Sequence, residues 1–161
     1  LESEEGEGSR FSFRLSMPYS EQPLVISKRL HTGMAESIPA VRVLVADDNK
    51  TNLVLATQLL KRKNIVHDTA CNGLEAYEMF SANRYDLVLM DLRMPVMDGF
   101  ESTALIRRLD PHVPVIALTA SAFENEKERA MASGFSGYFI KPFIPQDFYD
   151  YIFPFLGIAV K

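Results

Sequence analysis

From Val41 onward, short apolar runs alternate with amphipathic stretches, and most of the runs end on a polar, chemically active side chain. The runs are 41–46, 87–90, 114–118 and 138–140, and 65–71 reads as a more polar second strand. Runs this short and this apolar suit strands buried on both faces. Residues 50–63, 74–83, 99–109 and 124–133 read as helices, with Leu53, Ala56 and Leu60 on one face of the first. A last helix is expected to begin near Pro145, since proline suits a first helical turn. Pro154 should stop or break it. Five strand–helix units in succession predict an α/β fold: a doubly wound, five-stranded parallel sheet covered by helices on both faces.

The first 40 residues differ. Residues 2–8 read E-S-E-E-G-E-G, polar and flexible. Phe11, Phe13 and Leu15 then alternate with Ser12, Arg14 and Ser16, the period of one half-buried strand, which Pro18 ends. Residues 19–40, with Pro23, Gly33 and Pro39, read as a linker. One strand cannot bury its apolar face alone, so this leader must lean on something. Leu1 is not Met and no signal peptide follows, so the chain reads as part of something longer.

Composition removes several functions. Of 161 residues, 47% are apolar and 24% charged, a globular balance. The formal net charge is −4, and no basic stripe exists to neutralise phosphates, so no nucleic-acid partner is expected. The apolar runs are too short to span a membrane, and no direct membrane contact is expected. A single cysteine, Cys71, excludes an internal disulfide framework and suits a reducing compartment; it reads as a small core residue. His31, His67 and His112 lack metal-ligand spacing and read as structural or solvated.

The polar residues at the strand ends carry the chemistry. The first strand runs into Asp47 and Asp48, the third into Asp91, the fourth into Thr119 and the fifth into Lys141. In an open parallel sheet these are the carboxyl ends, where ligands bind. Three close carboxylates repel one another unless a cation is present. A hard divalent ion with oxygen ligands, such as Mg²⁺, answers that need. An aspartate can attack phosphorus and form an acyl phosphate. Such a transfer requires mainly in-line positioning and charge neutralisation, which an ammonium and a hydroxyl can share with the cation. Taken singly, each residue has a plainer reading: Asp-Asp before a helix as a cap, Thr119 as a strand residue, Lys141 as a solvated amine. The joint pattern is what argues for chemistry.

These residues sit in the motifs V-L-V-A-D-D-N at 43–49, N-G-L-E-A at 72–76, Y-D-L-V-L-M-D at 85–91, M-P-V-M-D-G at 94–99, V-I-A-L-T-A at 115–120 and K-P-F at 141–143. Together they resemble the receiver domain of two-component response regulators. The resemblance implies the flavodoxin-like strand order 2-1-3-4-5. It implies that Asp91 is the phosphoacceptor, taking a phosphoryl group from phosphohistidine. Asp48 would be a direct Mg²⁺ ligand, Asp47 a water-mediated one, and the Arg93 backbone carbonyl would complete the protein ligands. Thr119 and Lys141 would contact the phosphoryl group, and Thr119 with Tyr138 would form the switch. The Lys141–Pro142 bond would be cis. Arg93 and Ser121 would border the phosphoryl group. Ile144 stands where the family often has a polar cap for the last helix.

Residues 3–18 resemble the end of a histidine-kinase ATP-binding domain, with Gly6-Glu7-Gly8 before a final strand. A kinase remnant at 1–18, a linker at 19–40 and a receiver at 41–161 are the layout of a hybrid sensor histidine kinase. The implied partners are the phosphohistidine of a kinase and a histidine phosphotransfer protein, in the cytoplasm, with room for a membrane-anchored parent. The remaining ATP-binding elements are absent from these residues, so no kinase activity is expected of them. Two rivals remain: a Mg²⁺-dependent phosphohydrolase of haloacid-dehalogenase type, and a phosphorylation-independent interaction module. The first needs Asp-x-Asp after the first strand, where this chain has Asp47-Asp48-Asn49. The second loses its acceptor or acidic pair, and both are present.

Overall fold

The structure is a computed structural model that describes residues 2–4, 8–10, 41–120 and 124–158. Two compact units divide the chain, 1–35 and 36–161. In the first, β1 (Glu2–Glu4) pairs antiparallel with β2 (Gly8–Arg10), Ser3 opposite Ser9. Residues expected to be flexible thus form a ladder. The ladder is made by backbone groups, so polar side chains do not forbid it. The strand expected over 11–15 and the linker expected over 19–40 lie outside the described residues.

The second unit holds a five-stranded parallel sheet. Its strands are β3 (Arg42–Ala46), β4 (Val66–Ala70), β5 (Leu87–Asp91), β6 (Val115–Thr119) and β7 (Gly137–Ile140), in the order β4-β3-β5-β6-β7. Counted within this sheet, that is 2-1-3-4-5, as expected. β5 and β6 are buried at all five positions, hence their unbroken apolar runs. The edge strand β4 is largely open, and its Val66 is exposed.

Side chains alternate across the sheet and feed two cores. Val43, Val45, Leu87 and Leu89 face α1 (Lys50–Arg62) and α5 (Pro145–Ile152). Leu44, Val88, Met90 and Val115 face α2 (Gly73–Ala82), α3 (Gly99–Leu109) and α4 (Glu124–Ala132). Leu53, Ala56 and Leu60 of α1 are buried, as their spacing predicts. Caps start three helices where they are needed. Asn49 accepts from the Thr51 N–H, Asn72 accepts from the Glu75 N–H, and Asp98 with Glu101 forms a capping box. Ile144 leaves α5 without a side-chain cap. α5 ends at Ile152, and Pro154 falls in a short 3-10 turn, Phe153–Leu156. The aromatics of α5 are core: Phe148 is fully buried, and the Tyr149 hydroxyl donates to the Leu59 carbonyl at 2.9 Å. Among the described residues, no helix is long and apolar enough to cross a membrane.

Candidate functional site

Because the strands are parallel, their carboxyl ends gather at one rim. β3 delivers Asp47 and Asp48, β5 ends in Asp91, β6 ends in Thr119, and Lys141 follows β7. Asp47 is completely buried. Its backbone N–H donates to the Ala70 carbonyl at 3.1 Å, which ties it to β4. A charge so buried requires donors. Oδ1 accepts from the Asn49 N–H at 2.9 Å and from Asn52 Nδ2 at 3.1 Å. Oδ2 accepts from Asn52 Nδ2 at 3.1 Å and from Lys141 Nζ at 2.8 Å.

Lys141 also donates to Asp91 Oδ2 at 2.9 Å, so one ammonium bridges two carboxylates. Burial pushes the Asp91 carboxyl above its ordinary range, and the bond from Lys141 offsets this only in part. Burial alone would lower the Lys141 ammonium. Its bonds to Asp47 and Asp91 outweigh that, and its pKa is raised. Asp48 is exposed beside them. Asp47, Asp48 and Asp91 each offer an oxygen, all within 4.8 Å of one another. Three carboxylates converging from two strand ends, with one ammonium bridging two of them, fit a hard divalent cation.

The mouth is a cleft of about 360 Å³ between Asp91, Arg93, Thr119, Glu126 and Lys141. The Arg93 N–H lies 3.4 Å from Asp91 Oδ1. The Thr119 hydroxyl donates to Glu126 Oε2 at 2.9 Å, and Arg93 Nη2 donates to Glu126 Oε1 at 3.0 Å. Tyr138 is half-buried on β7, opposite Ala117. Its N–H donates to the Tyr151 hydroxyl at 2.9 Å, and Lys127 Nζ stands 4.9 Å from its ring centre.

The response regulator receiver domain family matches residues 43–153. This chain belongs to that family. It is a receiver domain of the two-component phosphorelay type. A sensor histidine kinase, GacS of Pseudomonas protegens, is 34% identical over 145 residues, 86% of this chain and 16% of that protein. The receiver spans 3–16% of the length of the curated relatives it matches. Among solved structures, the receiver domain of the sensor histidine kinase PA1611 from Pseudomonas aeruginosa is 30% identical with a TM-score of 0.69, covering 73% of this chain and 98% of that one. That domain holds a magnesium ion in its active-site cleft. The Saccharomyces cerevisiae receiver of Ssk1, solved with the phosphotransfer protein Ypd1, is 28% identical with a TM-score of 0.64, covering 71% and 90%.

Backbone proximity holds the receiver's rim in shape. A side chain on Gly99 would strike the Asp91 carbonyl oxygen, and one on Gly73 would strike that of Met97. These two glycines let α3 and α2 start against the strand ends. The Lys141–Pro142 bond is cis. The structure thus brings Asp47, Asp48, Asp91, Arg93, Thr119 and Lys141 together. Tyr138 stands further back, and Ser121 lies outside the described residues. Two residues escaped the sequence reading. Asn52 holds both oxygens of Asp47 from the first turn of α1, a spacing of five that a cap search could have found. Glu126 lies seven residues past Thr119, and no local signal marks it. Cys71 corrects one expectation: it is exposed, not core. It lies just beyond Ala70, where the edge strand ends, and its N–H donates to Glu75 Oε2 at 2.6 Å. His67 Nδ1 lies 3.0 Å from the Ile65 carbonyl, a structural role.

Proposed function

We infer that Asp91 accepts a phosphoryl group from the phosphohistidine of a kinase. The observation that carries this is the Lys141 ammonium bridging Asp47 and Asp91 at the rim of a receiver sheet. An Asp91 carboxylate oxygen attacks phosphorus in line. The P–O bond forms as the P–N bond to the imidazole breaks, and the ring nitrogen leaves with the electron pair. Lys141 lies against Asp91 and is placed to meet the phosphoryl oxygens as their charge develops. Thr119 supplies a hydroxyl donor from the end of β6. Asp47 works indirectly: it fixes Lys141 while Asn49 and Asn52 hold it still.

Asp47, Asp48, Asp91 and the Arg93 carbonyl are the groups that would hold Mg²⁺. When bound, the ion would supply charge neutralisation among the carboxylates and the incoming phosphoryl oxygens. Thr119 and Tyr138 then couple phosphorylation to the surface around α4 and β7. The recipient is a histidine phosphotransfer protein, in the cytoplasm. Residues 1–18 are the end of a histidine-kinase ATP-binding domain, 19–40 a linker and 41–161 the receiver, as in a hybrid kinase. The hybrid-kinase relatives support that layout.

The test is intact-mass spectrometry after incubation with acetyl phosphate and magnesium chloride. Acetate leaves as the Asp91–phosphorus bond forms, so the expected result is a gain of one phosphoryl group. Asp91→Asn should show none. Equal labelling of that variant would falsify the assignment.

A further inference from the structure

The first turn of α4 places a carboxylate where the phosphoryl group must find its donors. Glu126 takes the Thr119 hydroxyl at 2.9 Å with one oxygen and Arg93 Nη2 at 3.0 Å with the other. It lines the same cleft as Asp91 and Lys141. Its side chain is 17% exposed, whereas that of Arg93 is 84% exposed, so Glu126 is tucked in and Arg93 lies over it from outside. A hydroxyl has one proton to donate, and a carboxylate only accepts. While the Thr119–Glu126 bond stands, that proton is committed. A phosphoryl oxygen that takes it must displace Glu126. Like charge acts in the same direction, because the phosphoryl group brings negative charge beside a carboxylate.

We propose that Glu126 is a positioning residue that plugs the cleft, holding Thr119 and Arg93 in place of the phosphoryl group until a phosphoryl group enters. This rests on the reading of Asp91 as the acceptor. The plug is one arrangement of a two-state element. The phosphoryl group favours the other because only there does Thr119 reach it. Ejection also has a route outward. The next residue, Lys127, stands 4.9 Å from the Tyr138 ring centre, so one turn of α4 touches both Thr119 and Tyr138. Moving Glu126 moves the neighbour of the aromatic ring as well.

The test compares wild type, Glu126→Ala and Glu126→Gln, with initial rates of Asp91 labelling measured against acetyl phosphate concentration at fixed magnesium chloride. In each, an Asp91 oxygen bonds to phosphorus as the phosphorus–acetate bond breaks. A plug in equilibrium with donor binding reduces apparent affinity by the fraction of open cleft. Glu126→Ala should therefore be faster at low donor by on the order of fivefold, the factor of one ordinary hydrogen bond. The curves should converge at saturating donor. Glu126→Gln keeps the shape of the side chain and an acceptor oxygen but loses the charge, so it should fall between. If wild type is labelled at Asp91 and neither variant is faster at low donor, the plug is wrong and the acceptor reading stands. A gain confined to saturating donor also overturns the plug. If wild type takes no label, both fall together.

Discussion

Two aspartates show how partners, not residue type, decide what a carboxyl does. Burial raises Asp91, because its surroundings favour the neutral form more than Lys141 favours the charged one. Asp110, after α3, is shifted the other way. Its Oδ1 accepts from the His112 N–H at 2.7 Å and the Val113 N–H at 3.0 Å, and these bonds hold its carboxyl below the ordinary value. One residue type is thus shifted in opposite directions by burial and by hydrogen bonds. Because the folded state depresses the Asp110 pKa, its stabilisation is present above the unfolded value near 3.8 and is lost as pH falls through the folded one. Asp110→Ala should destabilise the domain by about 1 kcal/mol near neutral pH, the ordinary net worth of a hydrogen bond when solvent screens the partly exposed charge. Urea unfolding across a series of pH values from neutral into acid checks this: the gap between wild type and variant should narrow as pH falls through the folded value. A gap that stays constant would mean the charge plays no part.

At the scale of elements, the α5 start is the weak point. Ile144 occupies the N-cap with extended backbone angles, offers no side-chain acceptor and is itself exposed. Ile144→Asp should accept a backbone N–H of the first turn and add roughly 0.5–1 kcal/mol. A rise in the urea midpoint at unchanged slope checks it, and no rise would show that Pro145 already sets the helix start. The elements were also where sequence reasoning worked best. β5 and β6 announced themselves because burial on both faces leaves only apolar residues. Asp47, Asp91, Thr119 and Lys141 were legible because parallel strands deliver their ends to one rim. The β1–β2 pairing was not, since backbone pairing leaves no side-chain period to read. Cys71 misled because a small apolar residue carries no mark of where an edge strand stops. Glu126 was invisible because its meaning comes from Arg93, 33 positions away.

At the scale of the molecule, the two compact units predict independence. A chain starting at Glu36 should melt within about 2–4 °C of the full chain, the shift that about 1 kcal/mol gives at this size. It should also accept phosphoryl from acetyl phosphate at the same rate. Calorimetry and the labelling assay check this, and a cooperative loss of folding would make the leader part of the receiver. The second unit has a chemically unique address. Its thiol at Cys71 is the sole one in the sequence, and it is exposed. It sits one residue beyond the carbonyl that receives the Asp47 N–H. A single dye attached there would report on the acidic rim from the end of the edge strand, one residue beyond a carbonyl that ties that strand to Asp47.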